Sequence, residues 1–240
     1  MNSTEPQSQA SEFIESVLAL RPAIAVFDCD GTLWSGDAGR DFFYWEIERG
    51  IVSREVADAM VERYSLYELG VVGEESMCGE MVTMNSGVPV DQLYAAGEEF
   101  FAEVVRPRIF PEMQALTRRL SDQGCELWAV SSTNDWVVEA GALHCGFARD
   151  RVLAACVHTD AGRATDRLVR VPTDELKTVA IREVIGKPVH AVFGNSIHDQ
   201  AMLEIAAYPF CVNPNPDMQQ VAKQKNWPIF WPNGTVPKVP

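Results

Sequence analysis

Ala23-Ile24-Ala25-Val26-Phe27-Asp28-Cys29-Asp30-Gly31-Thr32 joins an apolar run to two carboxylates and a glycine turn. A short, unbroken apolar run reads as a strand buried on both faces. Two acids at its C-terminal end then stand at the sheet edge where α/β proteins bind their ligands. Held in different environments, one carboxylate can ligate a cation or attack an electrophile while the other moves a proton.

Outward from this stretch the chain has two textures. The sequence predicts helices over 39–49, 53–69, 73–84 and 90–104, separated by Gly50-Ile51-Val52-Ser53, Gly70-Val71-Val72-Gly73 and Ser86-Gly87-Val88-Pro89, with no strand among them. From Pro107 onward helices and strands alternate. Helices are expected over 111–123, 134–145, 174–185, 198–205 and 216–225, strands over Cys125–Val130, His190–Phe193 and Pro209–Val212, and a hairpin around Asp160-Ala161-Gly162-Arg163. Such alternation predicts a parallel sheet with right-handed crossovers. The expected fold class is α/β: a Rossmann-like parallel sheet core with helices on both faces, residues 12–36 and 107–240, and an α-helical domain, residues 37–106, inserted after the first strand. Residues 1–11 are expected to be disordered and Trp231 to Pro240 poorly ordered.

At 240 residues, 47% of them hydrophobic, the chain can bury a sizeable core. Its formal charge of −14, from 20 basic and 34 acidic residues, argues against nucleic-acid binding and against docking on anionic lipid. No apolar stretch approaches the roughly 20 residues that span a bilayer. Met1 to Ser11 has neither the basic flank nor the apolar centre of a signal peptide. A cytoplasmic monomer or homodimer is the expectation. Cys29, Cys78, Cys125, Cys145, Cys156 and Cys211 form no CxxC pair and read as reduced packing residues.

Three further groups fall where a sheet-edge site needs them. Ser131-Ser132-Thr133-Asn134 closes the strand Cys125–Val130 just before a helix, offering a hydroxyl and free backbone N–H groups to a phosphate, or simply helix caps. Lys177 sits at the opening of a helix, where the dipole does not favour a cation. Gly194-Asn195-Ser196-Ile197-His198-Asp199 follows the strand His190–Phe193 and carries an amide oxygen and a carboxylate four positions apart.

In this order and spacing the motifs resemble the haloacid dehalogenase-like hydrolase superfamily, in particular its phosphoserine phosphatase-like branch. The resemblance runs through D-x-D-G-T, the serine ending the second strand, the later lysine and G-[DN]-S-x-x-D, and covers nearly the whole chain. It implies that residues 37–106 form a helical cap that closes over a substrate phosphate. It also implies a magnesium-dependent phosphatase acting on a small phosphomonoester through an aspartyl-phosphate. On that pattern Asp28 is the nucleophile, and Asp30 protonates the leaving alcohol and then activates water. Lys177 neutralises nucleophile and phosphoryl group, while Ser131, Ser132 and the Gly31 turn form the phosphate site. Mg2+ would be held by Asp28, the backbone carbonyl of Asp30, Asn195 and Asp199.

Two departures from the pattern shape the expectations. Asn195 stands where most members carry an aspartate, so its amide oxygen lacks a charge and Asp199 is expected to support the metal, directly or through water. In phosphoserine phosphatases an acid nine positions after the nucleophile binds the serine amine, and Asp37 stands there. Glu80 falls where an arginine would bind the serine carboxylate, which it would repel. These acids point to a phosphorylated small metabolite with a cationic or neutral leaving group, such as an amino-alcohol phosphate. Trp34, Phe42, Phe43, Tyr44, Trp45, Tyr64 and Tyr67 are candidates to line an ammonium pocket, and equally for core packing. The alternatives are a phosphotransferase or mutase of the same fold, or, because of Asn195, a catalytically weak phosphate-ligand binder. His144 and His198 read as structural.

Overall fold

Strand β1, Ile24–Phe27, is buried along its whole length, as its unbroken apolar run requires. The computed structural model describes residues 5–235, and within them β1 is the centre of a seven-stranded sheet. The others are β2 (Glu126–Asn134), β3 (Val152–Asp160), β4 (Arg163–Arg170), β5 (Ala191–Gly194), β6 (Tyr208–Val212) and β7 (Ile229–Phe230). Their order is β4-β3-β2-β1-β5-β6-β7, and every neighbouring pair is parallel except β3 with β4. The chain leaves β1 for β2 on one side and comes back to β5 on the other. The C-terminal end of β1 is therefore a crevice where the strand order switches.

Helix α1 (Glu5–Ala19) corrects the expectation of disorder over 1–11. Ala10, Ile14, Val17 and Leu18 recur at helical spacing and are all buried in the main core, so tertiary packing secures a helix that the polar composition concealed. Residues 1–4 and 236–240 lie outside the described residues. The expected loose C-terminal end is tied down at least at Asn233, whose N–H donates to Glu112 Oε1 at 3.1 Å.

Between β1 and β2 come α2 (Ala38–Glu48), α3 (Arg54–Glu68), α4 (Glu74–Thr83) and α5 (Val90–Phe100). Helix α5 runs on through a π-helical turn, Phe101–Val105, and a 3-10 turn, Arg106–Arg108. This segment packs in two ways. Phe42, Leu93, Ala96, Phe100, Phe101 and Val105 share one core with Ala25 and Phe27 of β1. Phe43, Ala57, Tyr64, Met77, Met81 and Met84 make a separate cluster. Helix α5 lies so close to α7 (Asp135–His144) that a Cβ on Gly97 would stand 2.3 Å from the Trp136 carbonyl oxygen. The β3–β4 hairpin is also stitched to the α4–α5 connection. Gly87 N–H donates to Ala164 O at 2.8 Å, Ala164 N–H to Val88 O at 3.0 Å, and Val90 N–H to Gly162 O at 2.9 Å.

Side chains alternate across the strands as the pleat requires. Ala25, Phe27, Leu127, Ala129 and Phe193 face α1, α6 (Pro111–Asp122) and α7. Ile24, Val26, Trp128, Val130 and Val192 face the layer of α8 (Glu175–Ala180), α9 (Gln200–Glu204) and α10 (Pro216–Lys225). Strand β2 continues four residues past the expected Val130 to Asn134, whose side chain caps α7 by accepting from Val137 N–H at 3.2 Å. All six cysteines are free. Among the described residues no helix is long and apolar enough to cross a membrane.

Candidate active site

Asp28 follows β1 directly and is 5% exposed. Its Oδ1 accepts from Lys177 Nζ at 2.7 Å and its Oδ2 from Thr32 Oγ1 at 2.9 Å. Lys177 comes up from α8, buried, and also donates to Asp199 Oδ1 at 2.6 Å. Burial alone would lower the Lys177 pKa, but Asp199 and Asp28 hold it above the ordinary value. The Asp28 carboxyl is pushed up to about 7 by burial and then by Asp199, against the pull of Lys177. One ammonium serving two buried carboxylates leaves negative charge over, and a cation would relieve it.

Asp30 has different neighbours. Its Oδ1 accepts from Trp34 Nε1 at 2.6 Å and from the Ala38 backbone N–H at 2.8 Å, and its Oδ2 from Thr133 Oγ1 at 2.8 Å. Burial, and next the charge of Asp37, push its carboxyl up to about 6, against the lowering effect of the three hydrogen bonds. The two acids of D-x-D thus stand apart chemically, Asp28 bound to an ammonium and Asp30 to neutral donors.

Both open on a cavity of about 260 Å³. Ser131, Ser132, Lys177 and Asn195 line it, as do Asp37, Arg40, Tyr64, Tyr67, Glu74 and Cys78. Ser131 is buried, and its Oγ accepts from Thr133 N–H at 3.2 Å. Asp37 caps α2, its Oδ1 accepting from Arg40 N–H at 2.9 Å. Among the described residues no three His, Cys, Asp or Glu side chains are grouped to hold a metal. The donors at this edge are instead mixed hard oxygens, the Asp28 carboxylate, the Asp30 carbonyl and the Asn195 amide, a set that suits Mg2+. The Asn195 side chain makes no hydrogen bond within the described protein and rests on Gly31, where a Cβ would stand 1.8 Å from its Nδ2.

Several expected assignments change. Glu80 is not part of the cavity wall: it makes a two-pronged ion pair with Arg63, at 2.6 and 2.8 Å. The face of α4 that meets the cavity carries Glu74, Met77, Cys78 and Met81, and Glu80 lies off that face. Asp199 is fully buried and both its oxygens are committed, Oδ1 to Lys177 and Oδ2 to the backbone N–H groups of Asn195 and Ser196 at 2.9 and 3.0 Å. It therefore positions the lysine and the motif turn rather than facing a metal. Gly31 is needed for its φ of +78° and for the approach of Asn195, and its N–H already donates to Trp34 O at 2.7 Å, so it offers nothing to a phosphate. Of the aromatic candidates only Tyr64 and Tyr67 line the cavity, whereas Trp34, Phe42 and Phe43 are core residues.

Other contributors went unread in the sequence. Thr133 shares with Ser131 one face of β2, a period-2 signal that marks both. His198, read from the sequence as structural, lines the cavity with Nδ1 2.8 Å from Asp174 Oδ1. Asp174 itself holds φ +48° and ψ −128°, a strained conformation for a non-glycine residue. Glu74 accepts from the Tyr67 hydroxyl and from Cys78 Sγ, and its i, i+4 spacing to Cys78 is the trace it leaves in the sequence.

Comparison with known proteins adds a family. The profile of the haloacid dehalogenase-like hydrolases matches residues 25–204. A histidinol-phosphatase of Neisseria meningitidis is 24% identical over 218 residues, 86% of this chain and 97% of that protein. The phosphoserine phosphatase SerB1 of Mycobacterium tuberculosis is 23% identical over 222 residues, 86% of this chain and 70% of that one. A crystal structure of a protein of unknown function from Bordetella pertussis superposes with a TM-score of 0.74 at 23% identity, covering 86% of this chain and 97% of that one.

Proposed function

Since the chain belongs to the haloacid dehalogenase-like hydrolases, we propose that it is a magnesium-dependent phosphoric monoester hydrolase working through an aspartyl-phosphate on Asp28. The observation that carries this reading is the difference in partners between the two acids at one sheet edge, an ammonium on Asp28 and neutral donors on Asp30. Burial raises both carboxyls, Asp28 the further, and the Mg2+ that Asp28 would hold is what would favour its ionised, nucleophilic form. Asp28 attacks phosphorus as the bond to the leaving alcohol breaks, and Asp30 gives that oxygen its proton. Asp30, now ionised, takes a proton from the water that attacks the phosphoryl group, which frees Asp28 and inorganic phosphate. The neutral donors around Asp30 support this role, because they orient the carboxyl without pinning its proton off as a cation would. Lys177 offsets charge on Asp28 and on the transferring group, and Ser131 with the Ser132 N–H takes phosphate oxygens. The Asp28 carboxylate, the Asp30 carbonyl and the Asn195 amide oxygen would hold Mg2+, which when bound neutralises phosphoryl charge. Helices α2 to α4 serve as the cap.

The leaving group on this reading is an amino alcohol. Asp37, Glu74 and two tyrosine rings in the cavity wall suit an ammonium. Arg40 lies in the same wall with Nε and Nη2 turned to Asp41 Oδ1, and Arg63 is taken by Glu80, so acids outnumber the guanidinium groups open to a substrate carboxylate there. Histidinol phosphate, indicated by the Neisseria relative, is the amino-alcohol phosphate to test first. Phosphate release from it, from phosphoethanolamine and from phosphoserine, with and without Mg2+, tests the proposal. Magnesium-dependent release is expected, with phosphoserine the poorest of the three. Asp28→Asn should abolish release, and Asp30→Asn should cut it about 10²–10⁴-fold while leaving phosphate binding intact. Binding without release in the wild type would instead favour the phosphate-ligand binder allowed by Asn195, and transfer of phosphate to a second alcohol would make the protein a phosphotransferase.

A further inference from the structure

Glu74 stands in the same cavity as Asp28 and Asp30, on the first turn of α4, and is half-buried. Its Oε2 accepts from the Tyr67 hydroxyl and its Oε1 from Cys78 Sγ at 3.6 Å. Both neighbours are donors. Burial, followed by Glu74 itself, keeps the Tyr67 phenol protonated well above its ordinary range, so the tyrosine remains a donor at any physiological pH. A carboxylate has about four acceptor positions. With two of them filled, Glu74 is fixed in orientation and still has a lone pair on each oxygen for something else.

Nothing in the described protein takes up that capacity. No guanidinium pairs with Glu74: Arg40 and Arg108 both turn to Asp41, and Arg63 to Glu80. Asp37 is a second carboxylate of the same wall, with Oδ1 capping α2 and no hydrogen bond to Oδ2 from the described residues. The two acids feel each other's charge, since Glu74 contributes to raising the Asp37 carboxyl after burial and Asp41 have acted. One ammonium needs one such partner. A wall with two oriented carboxylates, flanked by Tyr64 and Tyr67, is matched by a leaving group with two separate N–H-bearing groups.

We propose that Glu74, oriented by Tyr67 and Cys78, is a specificity-determining residue that recognises a second basic or N–H-donating group on the leaving alcohol, beyond the amine taken by Asp37. The inference rests on the phosphatase reading and narrows it to phosphate esters of amino alcohols with a second nitrogen base. A glutamate that served only the α4 N-terminus would stabilise the helix without distinguishing one substrate from another.

The test compares two probes at saturating Mg2+: histidinol phosphate, with an amine and an imidazole, and phosphoethanolamine, with the amine alone. The wild type should prefer histidinol phosphate in kcat/KM. Glu74→Gln should lower that preference by about tenfold, the loss falling on KM, as expected for one charge-assisted hydrogen bond. Tyr67→Phe, which leaves the carboxylate but frees its orientation, should lower it in the same direction by a smaller factor. Melting temperature and p-nitrophenyl phosphate hydrolysis identify variants that fail to fold. Equal losses on both probes, in Glu74→Gln and in Tyr67→Phe, would overturn the inference while leaving a phosphatase in place. Absence of p-nitrophenyl phosphate hydrolysis by the wild type would overturn the phosphatase reading itself.

Discussion

At the scale of single residues the site turns on what stands at position 195. An aspartate there would give a cation a full charge, whereas Asn195 gives only an amide dipole, and both side chains fit against a glycine at position 31. Asn195→Asp is therefore expected to reduce the Mg2+ concentration for half-maximal activity by about tenfold. A magnesium titration of phosphate release reads this directly, and an unchanged or higher requirement would remove Asn195 from the ligand set. The meeting of Asp28, Asp30 and Lys177 at one sheet edge was legible beforehand because strand ends and motif spacing are one-dimensional signals. Glu80 was misread for the opposite reason. Six residues along a helix turn a side chain roughly 240° about the axis, so an alignment right to within a few residues still names the wrong face. Asp199 was found but given the wrong task, since which partner a carboxylate turns to depends on a lysine 22 positions away in sequence.

Among the elements, α2 carries an acid with an unusual burden. Glu46 is fully buried, and neither of its carboxylate oxygens meets a hydrogen-bond partner among the described residues. Burial keeps its carboxyl well above the usual glutamate range. The folded protein thus keeps this proton at pH values where the unfolded chain has lost it. The neutral form supports the fold fully below about pH 4.3, the ordinary glutamate value. That support is lost as pH rises toward the folded-state pKa. Glu46→Gln, which cannot ionise, should melt near the wild-type temperature at pH 5 and several degrees above it at pH 8, at about 2–4 °C per kcal/mol for a chain of this length. Parallel melting curves of the two proteins across that range would contradict this. Helix α2 itself was read correctly from its pattern, because Phe42, Phe43 and Glu46 share a buried face whatever their chemistry. Helix α1 was missed because its apolar face begins only at Ala10, behind a polar start.

Across the whole molecule the helical segment between β1 and β2 does not pack as one body. Helix α5 shares the core of the sheet, is pressed onto α7 at Gly97 and follows a connection stitched to the β3–β4 hairpin. Helix α3 buries only Ala57 and Tyr64, both within the smaller cluster. Amide hydrogen exchange should show α3 opening well before α5, whose protection should match β1. Phosphate with Mg2+ should slow exchange in α3 and α4 more than in the sheet. Uniform protection across α2 to α5 would mean a rigid lid. The alternation that predicted the sheet could not have revealed this division, because the backbone bonds that join hairpin to helix connection link residues about 75 positions apart and follow no local pattern. The stitching also sets how this scaffold can be re-engineered. Exchange of the entire segment between relatives would tear α5 from its seat on α7, whereas a graft of residues 51–84 leaves that seat in place and carries Tyr64, Tyr67 and Glu74 with most of the smaller cluster, provided Val82 and the face of Gly79 against Leu168 and Val171 are kept. That half of the insertion is the piece to exchange when the leaving-group wall is to be changed and the sheet kept.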